Sequence, residues 1–121
     1  MKVLFIGGTG IISTACTELA VRRGMDITLV NRGKHKASLP AGVKSLTLDM
    51  SDPAAAKRAL DGQRFDAVVD WIAYTPADIE RNLELFRGRT GQFIFISSAS
   101  AYQKPSTHYL ITESTPLANP H

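Results

Sequence analysis

The opening stretch constrains this chain more than any other. An unbroken apolar run, Val3-Leu4-Phe5-Ile6, leads into Gly7-Gly8-Thr9-Gly10, and an amphipathic pattern begins directly afterwards. Runs of this kind, rich in β-branched and aromatic residues, suit a parallel strand covered on both faces. Ile12, Ala15, Cys16, Leu19 and Ala20 recur at i, i+3, i+4, i+7 and i+8, which assigns them to the buried face of a helix that ends near Arg22-Arg23 and Gly24. Strand, glycine turn and helix in immediate succession let main-chain amides close on a diphosphate, and the helix N-terminus adds favourable partial charge. The candidate cradle is Gly7, Thr9, Gly10, Ile11 and Ile12. A glycine turn that merely joins strand to helix is the plainer alternative, and the elements on either side argue against it. Ser13 stands where a three-glycine fingerprint has its last glycine. That glycine mainly permits close helix–strand packing, so a small displacement of the helix is expected.

Four further apolar runs follow: Ile27-Thr28-Leu29-Val30, Leu46-Thr47-Leu48, Ala67-Val68-Val69 and Phe93-Ile94-Phe95-Ile96. Helical patterns separate most of them. Ser51-Asp52-Pro53 is a capping residue followed by proline at the first helical position, with Ala56, Ala59 and Leu60 facing inward. Thr75-Pro76 opens another helix, where Asp78 completes a capping-box pattern and Ile79, Leu83 and Phe86 are expected to be buried. Residues 33–43 read as a loop or a short helix, and after Ser97 no convincing element remains. The alternation predicts a single α/β domain over residues 1–121, a doubly wound parallel sheet of the Rossmann-like class with strand order 3-2-1-4-5. Its ligand crevice is expected at the carboxyl ends of strands one and four.

Composition narrows the class. With 121 residues, 44% hydrophobic and 21% charged, the chain has the balance of a water-soluble globular domain. Residues 1–10 are too short for a membrane span and lack a signal-peptide cleavage pattern, so a cytoplasmic location is expected. The one cysteine, Cys16, excludes an internal disulfide framework and reads as a core thiol. His35, His108 and His121 have no metal-binding spacing, and no metal is expected. The net charge of +3 gathers partly in Arg32-Gly33-Lys34-His35-Lys36; so short a run is ordinarily a solvated loop, and no nucleic-acid partner is expected from it.

At the end of strand two, an NAD site usually carries an acidic residue that bonds the adenosine ribose. This chain has Asn31 and Arg32. Asn31 can bond a ribose hydroxyl without repelling a 2′-phosphate, and Arg32 can pair with that phosphate or stack on adenine. Both can equally be turn residues. The choice between NAD and NADP stays open, with a slight lean towards NADP being accepted.

Four stretches in order, residues 1–10, Leu48-Asp49-Met50-Ser51-Asp52, Val68-Val69-Asp70-Trp71-Ile72-Ala73 and Phe95-Ile96-Ser97-Ser98-Ala99-Ser100-Ala101-Tyr102, resemble the NAD(P)-dependent epimerase/dehydratase family, the extended or atypical branch of the short-chain dehydrogenases/reductases. The resemblance spans most of the chain. It implies that Asp49 and Met50 sit at the adenine edge, although Asp49 can also be an aspartate near a helix cap. It implies that Trp71, Ile72 and Ala73 lie under the ribose and nicotinamide; simple packing suits Trp71 as well. Ser98 matches the family's catalytic serine/threonine with Ser97 beside it, where a plain turn is the alternative, and Tyr102 looks like a structural tyrosine of that loop.

The family's acid/base is a tyrosine with a lysine four residues later, the lysine lowering the tyrosine's pKa. Here Tyr74 is followed at that offset by Asp78, Tyr102 by Ser106 and Tyr109 by Glu113, and no lysine follows Lys104. The pair is therefore expected beyond His121, which makes the chain the N-terminal fragment of a longer enzyme, inactive alone. The resemblance implies a hydroxyl or carbonyl substrate, a nucleotide sugar among them. Strand five would then lack one neighbour, and self-association through that edge is expected. The alternative is a non-catalytic NAD(P)-sensing or RNA-binding regulatory module of the same fold. A flavodoxin-like domain fits the glycine turn less well.

Overall fold

Each apolar run forms a strand. The computed structural model describes residues 1–33, 39–106 and 108–119. Along the chain lie β1 (Lys2–Ile6), α1 (Ile11–Arg22), β2 (Asp26–Asn31), β3 (Lys44–Thr47), α2 (Pro53–Ala59), β4 (Phe65–Asp70), α3 (Pro76–Phe86) and β5 (Thr90–Phe95), then a single 3-10 turn at Ala99–Ala101. The sheet order is β3-β2-β1-β4-β5 and every pairing is parallel, as predicted. Residues 34–38, which include the last three residues of the basic run, lie outside the described residues, as does His121. The 3-10 turn is an addition to the sequence expectation. Among the described residues no helix is long and apolar enough to cross a membrane.

β1 is the middle strand, and its side chains divide between two cores. Leu4 and Ile6 join Val30, Val68, Leu60 and Phe86 beneath α2 and α3. Val3 and Phe5 join Ile27, Leu29, Val69 and Ala20 beneath α1. Alternate residues of one strand thus feed both layers, as a sheet covered on both faces requires. Cys16 packs part-buried against the second of these cores.

Two helix faces differ from expectation. In α1 the buried residues are Ser13, Thr17 and Ala20, while Ile12 is 71% and Leu19 42% exposed, and Ala15 is exposed as well. The glycine turn brings the start of α1 hard against the sheet, where only small side chains fit. The buried hydroxyls are satisfied locally: Ser13 Oγ accepts the Gly10 amide at 2.9 Å, and Thr17 Oγ1 donates to the Ser13 carbonyl at 2.9 Å. In α3 Phe86 is buried and Ile79 half-buried as expected, but Leu83 is 43% exposed and its neighbour Asn82 is buried in its place. Asn82 goes inside because a buried carboxylate, Asp70, needs its amide. The inward face of α2, with Ala56 and Leu60 buried, follows the sequence pattern.

Candidate functional site

The sheet order reverses beside β1: α1 leads to β2 on one side, and β4 lies on the other. Loops leaving β1 and β4 therefore diverge and leave a crevice at the carboxyl ends of the strands. Two clefts occupy it. One, of about 380 Å³, lies over the ends of β2 and β3; the other, of about 980 Å³, lies towards β5. They share Ile72 and Ala73, which follow β4, and the glycine turn runs between them.

That turn is built for close approach. Gly7 and Gly8 have φ of +95° and +105°, which only glycine adopts without strain. A Cβ on Gly7 would meet Ile72 Cγ2 at 2.8 Å, and one on Gly8 would meet Leu29 Cδ2 at 2.7 Å. Gly10 differs: it is the N-cap of α1 at φ −84°, ψ 175°, and a Cβ there would find only Ser13 Oγ, at 3.4 Å. No side chain caps the helix. The amides of Ile11 and Ile12, in the first turn, have no carbonyl within the helix to bond, and both residues are exposed on the wall of the larger cleft. This is a place for an anionic group.

The structure gathers the sequence-nominated residues around the two clefts. Gly7, Thr9, Asn31, Arg32, Asp49 and Met50 line the smaller one. Gly10, Ile11, Ile12, Trp71, Ser97 and Ser98 line the larger, and Ile72 and Ala73 line both. Asn31 is occupied with its own turn: Oδ1 accepts the Gly33 amide at 2.9 Å, and Nδ2 donates to Ser45 Oγ at 3.3 Å. Arg32 is exposed beside it and makes no ion pair among the described residues. Asp49 does not cap α2. Its Oδ1 accepts from the Ser51 amide and hydroxyl at 2.9 and 2.8 Å, while Asp52 is the N-cap, accepting the Ala55 amide at 3.0 Å. Trp71 stacks edge-on against Phe5 at 5.5 Å between centroids, so it packs as well as lines. Ser98 caps the 3-10 turn, with its Oγ 2.8 Å from Ser100 Oγ.

Sequence reasoning passed over the far wall of the smaller cleft, formed by Asp78, Arg81 and Asn82 of α3. The Arg81 guanidinium, 2.7 Å from Asp78 Oδ1, together with the Thr75 amide and hydroxyl, holds the Asp78 carboxyl well below the usual carboxylate range. Asp78 is thus an anion spent on the cap of α3 and on Arg81. The three-residue spacing of Asp78 and Arg81 on a helix was the available signal.

Known proteins share this sequence pattern and fold. The profile of the NAD dependent epimerase/dehydratase family matches residues 3–121. A 2'-dehydrokanamycin reductase of Streptomyces kanamyceticus is 28% identical over 115 residues, covering 95% of this chain and 32% of the relative. A UDP-glucose 4-epimerase of Lactobacillus helveticus is 29% identical, covering 97% of this chain and 41% of the relative. The chain thus spans about a third to two-fifths of the length of these relatives. The UDP-glucose 4-epimerase of Bifidobacterium longum, solved in complex with NAD+ and UDP, superimposes with a TM-score of 0.79 at 22% identity, over 98% of this chain and 43% of that one. At that identity the likeness speaks to the fold alone.

Proposed function

The chain belongs to the NAD dependent epimerase/dehydratase family, and from that premise we propose that it holds NAD or NADP across both clefts, as the cofactor-binding part of a longer enzyme. The observation that carries this reading is the glycine turn. Gly7 and Gly8 occupy backbone conformations that other residues resist, and Gly10 opens α1 with no side chain capping its first-turn amides. The smaller cleft takes the adenosine, the turn takes the diphosphate, and the larger cleft takes the nicotinamide with the substrate. When bound, the cofactor accepts or delivers hydride at a hydroxyl-bearing or carbonyl carbon of a small molecule, and a nucleotide sugar is the substrate class favoured by the relatives named above. Ser98 Oγ is the group of this chain that bonds the reacting oxygen. None of this chain's three tyrosines has a lysine four residues later, so no proton-moving pair is assigned to it. A cytoplasmic location, in keeping with a single cysteine, is part of the same reading.

Calorimetric titration with NAD⁺, NADP⁺ and their reduced forms tests it. One-to-one binding of a dinucleotide is expected; no heat and no competition with any of the four would sink the reading.

Cofactor choice falls to Arg32. With Asn31 held in its turn and Asp49 accepting from Ser51, a 2′-phosphate at the end of β2 meets the guanidinium of Arg32 first. NADP⁺ is expected to bind about tenfold more tightly than NAD⁺ at low salt, and Arg32→Glu to reverse that order. Equal ratios in wild type and variant would remove Arg32 from the site.

β5 is an edge strand with Phe95 43% and Ile96 36% exposed at its end. Self-association of the 121-residue chain through that edge is proposed from it. Light scattering that gives a monomer across the accessible concentration range would refute it.

A further inference from the structure

Three buried side-chain polar atoms among the described residues have no hydrogen-bond partner: Trp71 Nε1, Arg81 Nε and Asn82 Oδ1. All three belong to one crossover, from the end of β4 into α3. At its root is Asp70, the last residue of β4 and fully buried. Asp70 Oδ1 accepts the amides of Ile72 at 3.0 Å and Ala73 at 2.9 Å, and Oδ2 accepts Asn82 Nδ2 at 2.7 Å. Burial of so polar a group is tolerated only where hydrogen-bond partners converge on it. The donors here come from the two residues shared by both clefts and from the helix that walls the smaller one.

We propose that Asp70 is a positioning residue: by holding the Ile72 and Ala73 amides together with Asn82 of α3, it fixes the passage between the clefts and so aligns the two halves of a ligand that spans them. The inference rests on the dinucleotide reading above. A ligand confined to the smaller cleft feels only the movement of that cleft's own lining. A dinucleotide needs both clefts in register, because its two halves reinforce each other only when both can engage at once.

The test titrates wild type, Asp70→Leu, Asp70→Asn and Asn82→Ala with NAD⁺, NADP⁺ and, as the one-cleft ligand, ADP. Leucine is close in shape and removes all three bonds. Asp70→Leu is expected to weaken the dinucleotide about 30-fold and ADP by no more than about threefold. Asp70→Asn is expected to recover most of the loss: its Oδ1 still accepts both amides, and Asn82, whose own Oδ1 has no partner, can turn its amide to accept from the new Nδ2. Unchanged dinucleotide affinity in Asp70→Leu overturns the proposal. So does an equal loss for dinucleotide and ADP, which is what a merely structural role predicts, and so does Asp70→Asn behaving like Asp70→Leu. If Asp70→Leu gives no cooperative melt, Asn82→Ala decides: it leaves the loop bonds and frees α3, and should weaken the dinucleotide about tenfold against about twofold for ADP, whose cleft α3 walls, an equal loss again overturning the idea. Failure of wild type to bind any dinucleotide sinks the earlier reading instead, so the two are separable.

Discussion

Gly10→Asp loses dinucleotide binding by about 100-fold or more and melts no lower than wild type. The two halves of this expectation have separate causes. Gly10 has an extended conformation open to any residue, and the built Cβ finds only Ser13 Oγ, at 3.4 Å. Aspartate is moreover a preferred N-cap. Its carboxylate can accept an amide of the first turn of α1, which no side chain now caps, for a gain of about a few tenths of a kcal/mol over glycine. The same carboxylate then occupies the place in front of the Ile11 and Ile12 amides and faces the diphosphate. Two such charges about 4 Å apart near a protein surface repel by about 4 kcal/mol before screening, which exceeds the 100-fold loss. Most substitutions that abolish binding also unfold; this one separates the two. Calorimetry with NAD⁺ and NADP⁺ beside a thermal melt measures both halves. Wild-type affinity in the variant would place the diphosphate elsewhere, and a large drop in melting temperature would mean that α1 does not begin as described.

The layout of this site was legible in the sequence because it depends on features that hydrophobic pattern and turn chemistry record directly. Five apolar runs and their intervening helices fixed the strand order, and the order fixed where loops diverge. The helix faces were less legible. In α1 hydrophobic periodicity selected Ile12 and Leu19 along with Ala20, yet Ala20 shares the face against the sheet with Ser13 and Thr17. What decides there is the distance between helix and strand, set by the glycine turn, and size outranks hydrophobicity at that distance. In α3 the pattern placed Leu83 inward, whereas Asn82 is the buried residue; an asparagine on a buried face costs free energy unless a partner waits for it. The partner is Asp70, twelve residues earlier and on another element, so only the fold could disclose it. Asp70 itself stood in the stretch that carried the family resemblance without a role attached. A buried carboxylate at a strand end is a signal, but its meaning lies in which amides it holds.

Gly8→Ala is expected to destabilise the chain by about 2–5 kcal/mol, whereas Gly10→Ala costs only about 0.5–1, the difference between glycine and alanine as an N-cap, although the two glycines stand two residues apart in one motif. At Gly8 the backbone sits at φ +105°, and forcing an L-residue there costs about 1–3 kcal/mol. The added methyl would also lie 2.7 Å from Leu29 Cδ2. Leu29 has no exposed surface and is packed among Val3, Phe5, Ile27 and Val69, so it cannot swing aside without disturbing its neighbours. That overlap adds about 1–3 kcal/mol, part of which relaxes. For a domain of this length the sum lowers the melting temperature by on the order of 10 °C. Gly10, at φ −84° with room for a methyl, meets neither cost. The contrast matters for function because both glycines look alike in sequence: one permits the turn, and the other leaves room in front of the helix amides. Thermal or urea melts of the two alanine variants measure the difference. If Gly8→Ala melts with wild type, the turn has another backbone conformation, and the diphosphate cradle built on it goes too.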